Sequence, residues 1–333
     1  MGALLVALGL VVAACGGGDD EGGDAGTGGG TAEAKKVGLV YDIGGRGDQS
    51  FNDSAGAGID GAKQEQGDKI EVKEIEPNAD GSNRKELLDS LADEGYGLNF
   101  GVGFLFSEDI AKSASESPDT TFAVIDGFDK SCTQPDSNLL CIGFKEQEGS
   151  FLVGAAAALK TKSNTVGFVG GQQGQGLIEK FQAGYEAGVK YIADQEGKDI
   201  EVLVDYAGNT PEAFRNPAKG NELGLKQIGQ GADVIYHASG GTGAGVFQAA
   251  AAKQKYAIGV DSDQSLTAPE DQRKWILTSM LKRVDTAVQQ TIGSYVDGTL
   301  KGGIQTFGLK EGGIDYAQNE YNKELLGDIP TTL

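Results

Sequence analysis

The sequence predicts an α/β protein of two similar parallel-sheet lobes, preceded by a leader and a tether. Three observations carry this. From residue 36 the 333-residue chain alternates short apolar runs with longer amphipathic ones. The apolar runs are nearly continuous, as in strands covered on both faces. The pattern also occurs twice, each series opening on a V-G-[LF]-V strand, Val37–Val40 and Val166–Val169. A chain of this length can bury large cores and divide into two domains.

The leader, MGALLVALGLVVAA (residues 1–14), is apolar and uncharged up to Cys15. It falls short of the roughly 20 apolar residues of a spanning helix and suits the hydrophobic part of a signal peptide. Val12-Ala13-Ala14-Cys15 is similar to a bacterial lipobox, in which the cysteine is acylated and becomes the mature N-terminus. The basic n-region of that pattern is missing, and an ordinary signal peptide or a buried helix are the alternatives. Residues 15–35, rich in Gly, Asp and Glu, cannot bury enough apolar surface to fold and read as a flexible tether. Leader, cysteine and tether together predict a folded part on the extracytoplasmic face of the cell membrane, anchored to it through the N-terminal lipid.

The first series of strands is expected at 37–42, 70–75, 98–106, 121–126 and 139–144. The second is expected at 165–171, 200–206, 232–238, 256–261 and 275–281. Between them, LIEKFQAGYEAGVKYIAD places Leu177, Phe181, Tyr185, Val189 and Ile192 on one helical face. SNRKELLDSLADEGY offers Ser82 as a cap and a Leu87/Leu88/Leu91 stripe. EGSFLVGAAAALK, rich in small residues, reads as the crossing between lobes. Cys132 and Cys141, nine positions apart, are read as a disulfide or as two free thiols. A metal site is not expected, because His237 is the only histidine and lies far from both.

A net charge of -21 and a pI near 4.4 argue against nucleic acid as a partner. In open α/β sheets ligands bind beyond the carboxyl ends of the strands. Those ends carry Asp42 with GGRGDQSFN, Asp126, GGQQGQG, Ser239-Gly240-Gly241, Asp261 and Lys282. Carboxylates recur where a phosphate binder would need cations, which favours a neutral polyhydroxylated ligand whose hydroxyls donate to them. GGQQGQG lacks the Gly-Lys-Ser/Thr ending of a phosphate loop, and HASGGTGAG has Val246 where the dinucleotide fingerprint needs glycine. There is no G-x-S-x-G elbow, Ser239 and His237 are expected on opposite sides of one strand, and no enzyme is expected. The RGD at 46–48 is a short match, and Asp48 or Asn52 is read instead as capping a helix that begins near Ser54.

These residues resemble those of the basic membrane protein family, also called PnrA-like lipoproteins, which are substrate-binding components of ABC transporters that take up nucleosides. The resemblance runs from Lys36 to Tyr316. It is carried by VGLVYDIGGRGDQSFND, TFAVID, IGFKEQEGSFLVGAAAAL, VGFVGG, IEKFQAGYEAGV, AFRNPAKGNELG, ASGGTGAGVFQAA, IGVDSDQ and TSMLKRVDTAV. It implies a type I periplasmic-binding fold with hinge crossings near 145–160, 278–283 and 300–306. One lobe would comprise 36–145 plus 282–302, the other 146–281 plus 303–333.

The resemblance also implies a site. Phe51 and Phe214 would stack a purine, Asn52 and Asp126 would bond the base edge, and Gly240, Asp261 and Lys282 would hold the ribose, with Asp42 a further candidate. The ligand would be a nucleoside such as adenosine, guanosine or inosine, and the partner an ABC permease, with no cofactor. Taken singly, Phe51 and Phe214 could be packing contacts, Asp126 and Asp261 helix caps, and Lys282 a solvated charge or a partner for Asp285. Another polar solute, such as a sugar or an autoinducer, is the runner-up ligand. A surface regulatory or adhesion lipoprotein is the alternative class.

Overall fold

The computed structural model describes residues 33–333. The expected signal peptide, Cys15 and all but the end of the tether lie outside these described residues. Among the described residues no helix is long and apolar enough to cross a membrane.

The first five strands are β1 (Lys35–Val40), β2 (Ile70–Ile75), β3 (Leu98–Val102), β4 (Thr121–Ile125) and β5 (Leu139–Phe144). The next five are β6 (Thr165–Gln172), β7 (Glu201–Gly208), β8 (Val234–Ala238), β9 (Tyr256–Asp261) and β10 (Ile276–Lys282). Two more follow, β11 (Gly303–Phe307) and β12 (Ile314–Tyr316). They form two six-stranded sheets in the same order, β2-β1-β3-β4-β5-β11 and β7-β6-β8-β9-β10-β12. All neighbours run parallel except the β10/β12 pair. Corresponding positions therefore exist in the two lobes, and the strand ends Asp126 and Asp261 occupy one such pair.

The helices are α1 (Phe51–Gln66), α2 (Arg84–Asp93), α3 (Ser107–Glu116), α4 (Glu146–Lys160) and α5 (Leu177–Glu196). They continue with α6 (Pro217–Gly229), α7 (Gly243–Ala252), α8 (Glu270–Arg273), α9 (Val284–Val296) and α10 (Lys323–Leu326). On α5 the buried face runs through Phe181, Tyr185, Val189 and Ile192, as the spacing predicts, while Leu177 stays half-buried. Small residues bring α4 and α5 together backbone to backbone: a Cβ on Gly184 or Gly188 would collide with the α4 main chain at Gln147 or Phe151.

Several boundaries differ from expectation. β3 stops at Val102, and Phe104–Phe106 form a 3-10 turn leading into α3. Ser82 is not the cap of α2. Asn83 stands at that position, and the Ser82 amide donates to Asp80 Oδ1 at 3.0 Å, closing a turn before the helix. α1 starts at Phe51 rather than near Ser54, because Asp48 supplies its cap three residues earlier. α4 is not itself the crossing. It packs on α5 and against β10 and β12, so the chain passes between lobes at Lys145, just before it.

The second passage falls at Lys282–Arg283, after which α9 returns to pack on α1. The third lies at 308–313, later than the 300–306 expected. Residues 303–307 pair in parallel with β5, from Gly303 on Leu140 to Phe307 on Phe144, and belong to the first sheet. Two physical reasons hold them there: β11 covers the open edge of β5, and Phe307 stacks on Phe144 with ring centroids 5.5 Å apart.

Candidate ligand-binding site

A cavity of about 360 Å³ opens at the carboxyl ends of the two sheets, within the size range of small-molecule pockets. Asp42, Phe51, Asn52, Asp126, Phe214, Gly240, Asp261 and Lys282 all line it. Eight residues chosen from scattered strand ends and loops are thus brought to one place.

The loop 43–50 sets the rim of the first lobe. Gly44, Gly45 and Gly47 take positive φ angles of 101°, 59° and 103°, which only glycine adopts freely. Asp48 then accepts from the amides of Ser50, Asn52 and Asp53 at 2.9, 2.9 and 3.1 Å, so its carboxylate is committed to capping α1. Arg46 is bound as well, to Asp60 at 2.9 Å and Glu74 at 2.8 Å. The RGD tripeptide is thus held by its own neighbours. Asn52 is buried and accepts from the Asp42 amide at 2.9 Å, tying α1 to the end of β1.

Phe214 comes from a 3-10 turn, Pro211–Phe214, in the second lobe. Its ring lies directly over Gly171, where a Cβ would overlap it. Thr242 fixes this loop, donating to the Ala213 carbonyl at 2.7 Å and accepting from the Asn216 amide at 2.7 Å. Gly240, at φ +55°, faces the Phe214 carbonyl. Phe51 and Phe214, one from each lobe, are both half-buried.

Asp126 and Asp261 end equivalent strands, and both take left-handed φ angles, 63° and 66°. Such backbone strain in non-glycine residues collects at functional sites. Lys282 Nζ donates to Asp126 Oδ2 at 2.5 Å and lies 3.1 Å from Glu146 Oε1. The ammonium also sits 5.3, 5.1 and 5.4 Å from the ring centroids of Phe51, Phe144 and Phe181, a favourable placement for a desolvated cation.

Burial raises the pKa of Asp42 to about 6 and that of Asp261 to about 7, Lys282 partly offsetting the latter. Burial also raises those of Asp48 and Asp126. For Lys282 burial favours the neutral form, but Asp126, Glu146 and Asp261 outweigh it and its pKa is raised.

Hydrogen bonds close the lobes over the cavity. Ser50 of the first lobe donates to Asp261 Oδ2. The Gln49 carbonyl accepts from Gln264 Nε2 at 2.9 Å and from Ser262 Oγ at 3.2 Å. Arg215 reaches the Ala79 carbonyl at 3.0 Å.

Ser239 and His237 are not on opposite sides, contrary to expectation. Residues two apart in a strand point the same way, and Ser239 Oγ lies 3.3 Å from His237 Nδ1. The other ring nitrogen meets Gln264 Oε1 at 3.0 Å rather than a carboxylate, and burial lowers the imidazole pKa to about 4. The ring is a neutral buried group that buttresses Gln264.

Sequence reasoning missed part of the lining. Leu177, Ile178 and Phe181 form an apolar wall and Gln264 contributes polar atoms, whereas Ser239, which also lines the cavity, stood among the strand ends. Leu177 and Phe181 carried a helical periodicity that reads equally as core, so spacing alone could not direct them to a cavity.

Residues 34–327 match the family model described as ABC transporter substrate-binding protein PnrA-like, and the chain belongs to that family. It is 32% identical over 320 residues to the ABC transporter nucleoside-binding protein BmpA of Lactococcus lactis, covering 90% of this chain and 86% of that protein. It is 37% identical over 328 residues to an uncharacterized lipoprotein of Pyrococcus abyssi, covering 95% and 75%. A solved ABC transporter solute-binding protein from Aeropyrum pernix superposes with a TM-score of 0.76 at 33% identity, covering 89% of this chain and 80% of that one. A periplasmic solute-binding protein from Actinobacillus succinogenes with bound D-allose shares the fold at 12% identity and a TM-score of 0.65, covering 87% and 99%. The architecture is the type I periplasmic-binding fold, and the family implies a small-molecule ligand and a permease partner.

Proposed function

We propose that the chain captures nucleosides, purine nucleosides foremost, between its lobes and delivers them unaltered to an ABC permease. It would be anchored on the extracytoplasmic face of the cell membrane through a lipid on Cys15, after removal of residues 1–14. The observation that carries the reading is the meeting, in one cavity, of an aromatic ring from each lobe with the strand-end carboxylates Asp126 and Asp261 and the ammonium of Lys282. A nucleoside has one flat apolar face pair and one vicinal diol, and this set of groups answers both.

Phe51 and Phe214 offer π-faces to the base, and each stacked base is worth about 1–3 kcal/mol. Asp261 accepts from the 2′- and 3′-hydroxyls, Lys282 balances the buried charge, and Gly240 adds a backbone contact. Asn52 and Asp126 face the base edge, with Asp42 beside them. Because both lobes contribute, the ligand binds the closed state better and shifts the population toward it. The relative named as nucleoside-binding supports the same reading.

Calorimetric titration of the soluble domain against adenosine, guanosine, inosine and cytidine tests it, with free bases, ribose and D-allose as controls. Nucleosides should bind, ribose and allose should not, and the recovered ligand should be chemically unchanged. If no nucleoside binds, the proposal fails.

A further inference from the structure

Glu146 is the first residue of α4, met immediately after the chain enters the second lobe at Lys145. Its side chain is 0% exposed, and it does not line the cavity. Oε1 lies 3.1 Å from Lys282 Nζ, and Oε2 is ion-paired with Lys180 Nζ from α5. Lys180 in turn donates to the Phe144 carbonyl at 3.0 Å, at the end of β5 before the first crossing. Lys282 closes β10 just before the second crossing. One buried carboxylate therefore links two of the three hinge passages to the cation at the floor of the site.

A buried carboxylate is costly even when paired, and an apolar residue would fill α4 at lower cost. What Glu146 does is visible in its partner. Lys282 faces Asp126 from β4, Asp261 from β9 and Glu146 from α4, with the Lys180 cation beyond Glu146 on α5. Asp126 gives Oδ2 to Lys282, while its Oδ1 is buried without a protein partner. An ammonium drawn from both sides leaves that second oxygen open to an incoming donor. Without Glu146 the ammonium would settle wholly on the two aspartates.

We infer that Glu146 is a positioning residue of the binding site. Acting through Lys282 from outside the cavity, it holds the ammonium off full pairing with Asp126 and keeps it aligned across the hinge as the lobes close. The affinity part of this inference rests on the nucleoside reading; the charge arrangement does not.

The experiment has two arms. In the first, inosine is titrated into wild type and E146Q. The variant should bind about tenfold more weakly, within the range of coupled neighbouring groups, and equal affinities would overturn the inference. In the second, the carboxyl carbon of Asp126 is titrated by NMR in ligand-free protein. Removing the Glu146 charge should lower the Asp126 midpoint, because Lys282 turns to it. Lys180→Met should raise it, because Lys282 is then drawn toward Glu146. Lys180 is 43% exposed, so K180M keeps the core intact and serves if E146Q fails to fold. A midpoint unchanged in the folded variants would overturn the inference. Wild type that ignores inosine would count against the proposed function alone, since the second arm uses no ligand.

Discussion

Lys282 Nζ, at the end of β10 in the second lobe, donates to Asp126 Oδ2 at the end of β4 in the first, 2.5 Å away. Their side chains are 1% and 3% exposed. Removing one partner of such a pair strands the other as an uncompensated buried charge, at about 3–5 kcal/mol. Lys282→Met should therefore lower the unfolding free energy by about that amount in urea titration. A loss below about 1 kcal/mol would mean the pair is as cheap as a surface ion pair.

The aromatic pair should act on affinity with little effect on fold, since both rings are only half-buried. Phe51→Ala and Phe214→Ala are each expected to weaken inosine binding by about 1–3 kcal/mol, roughly 5- to 150-fold. Gly171→Val should do the same indirectly, because its side chain would displace the Phe214 ring. Unchanged calorimetric affinity in F214A would remove the ring from the site.

Asp261 fixes a pH dependence. Burial raises its pKa from 3.8 to about 7, so in the free protein it keeps its proton well above the ordinary carboxylate range. A diol donates to the ionised form, so a proton must leave first below pH 7. Inosine affinity should rise with pH, by at most roughly tenfold per unit, and level off above about 7, with Asp42, at about 6, adding slope at the lower end. Asp261→Asn should erase the upper inflection; its persistence there would exclude Asp261 as the source. By the same linkage the folded protein binds this proton more tightly than the unfolded chain. Ligand-free stability should fall as pH climbs from 3.8 through about 7.

The structure bonds Cys132 to Cys141, closing a loop of sequence separation 9 in the first lobe. Neither residue lines the cavity. The double variant Cys132→Ser, Cys141→Ser should lose about 2–3 kcal/mol by loop-closure entropy and bind inosine as wild type does. Weakened binding at full stability would show that the loop reaches the site.

Most strands were legible in the sequence because their apolar runs are short, continuous and bounded by turns. β11 was not. Gln305 and Thr306 are exposed and Ile304 is 54% exposed, so GIQTF carries no signal of burial. What makes it a strand is the unpaired edge of β5, which no local pattern records. Ser82 misled for a related reason: it is a good capping residue, but Asp80 takes its amide first. The strand-end carboxylates Asp42, Asp126 and Asp261 stood out because parallel sheets deliver their carboxyl ends to one place.

The sequence by itself determined that there are two parallel-sheet lobes and that Asp126, Asp261 and Lys282 stand at the carboxyl ends of their strands. Those properties follow from periodicity and from the direction of the chain, both local. Only the tertiary structure decided that Ser50 meets Asp261, that Gln264 reaches the Gln49 carbonyl, and that Glu146 shares Lys282 with Asp126. These contacts join residues up to 215 positions apart. Those made by Ser50, Gln49 and Asp126 exist only when the hinge brings the lobes together, and a hinge angle has no periodicity in sequence.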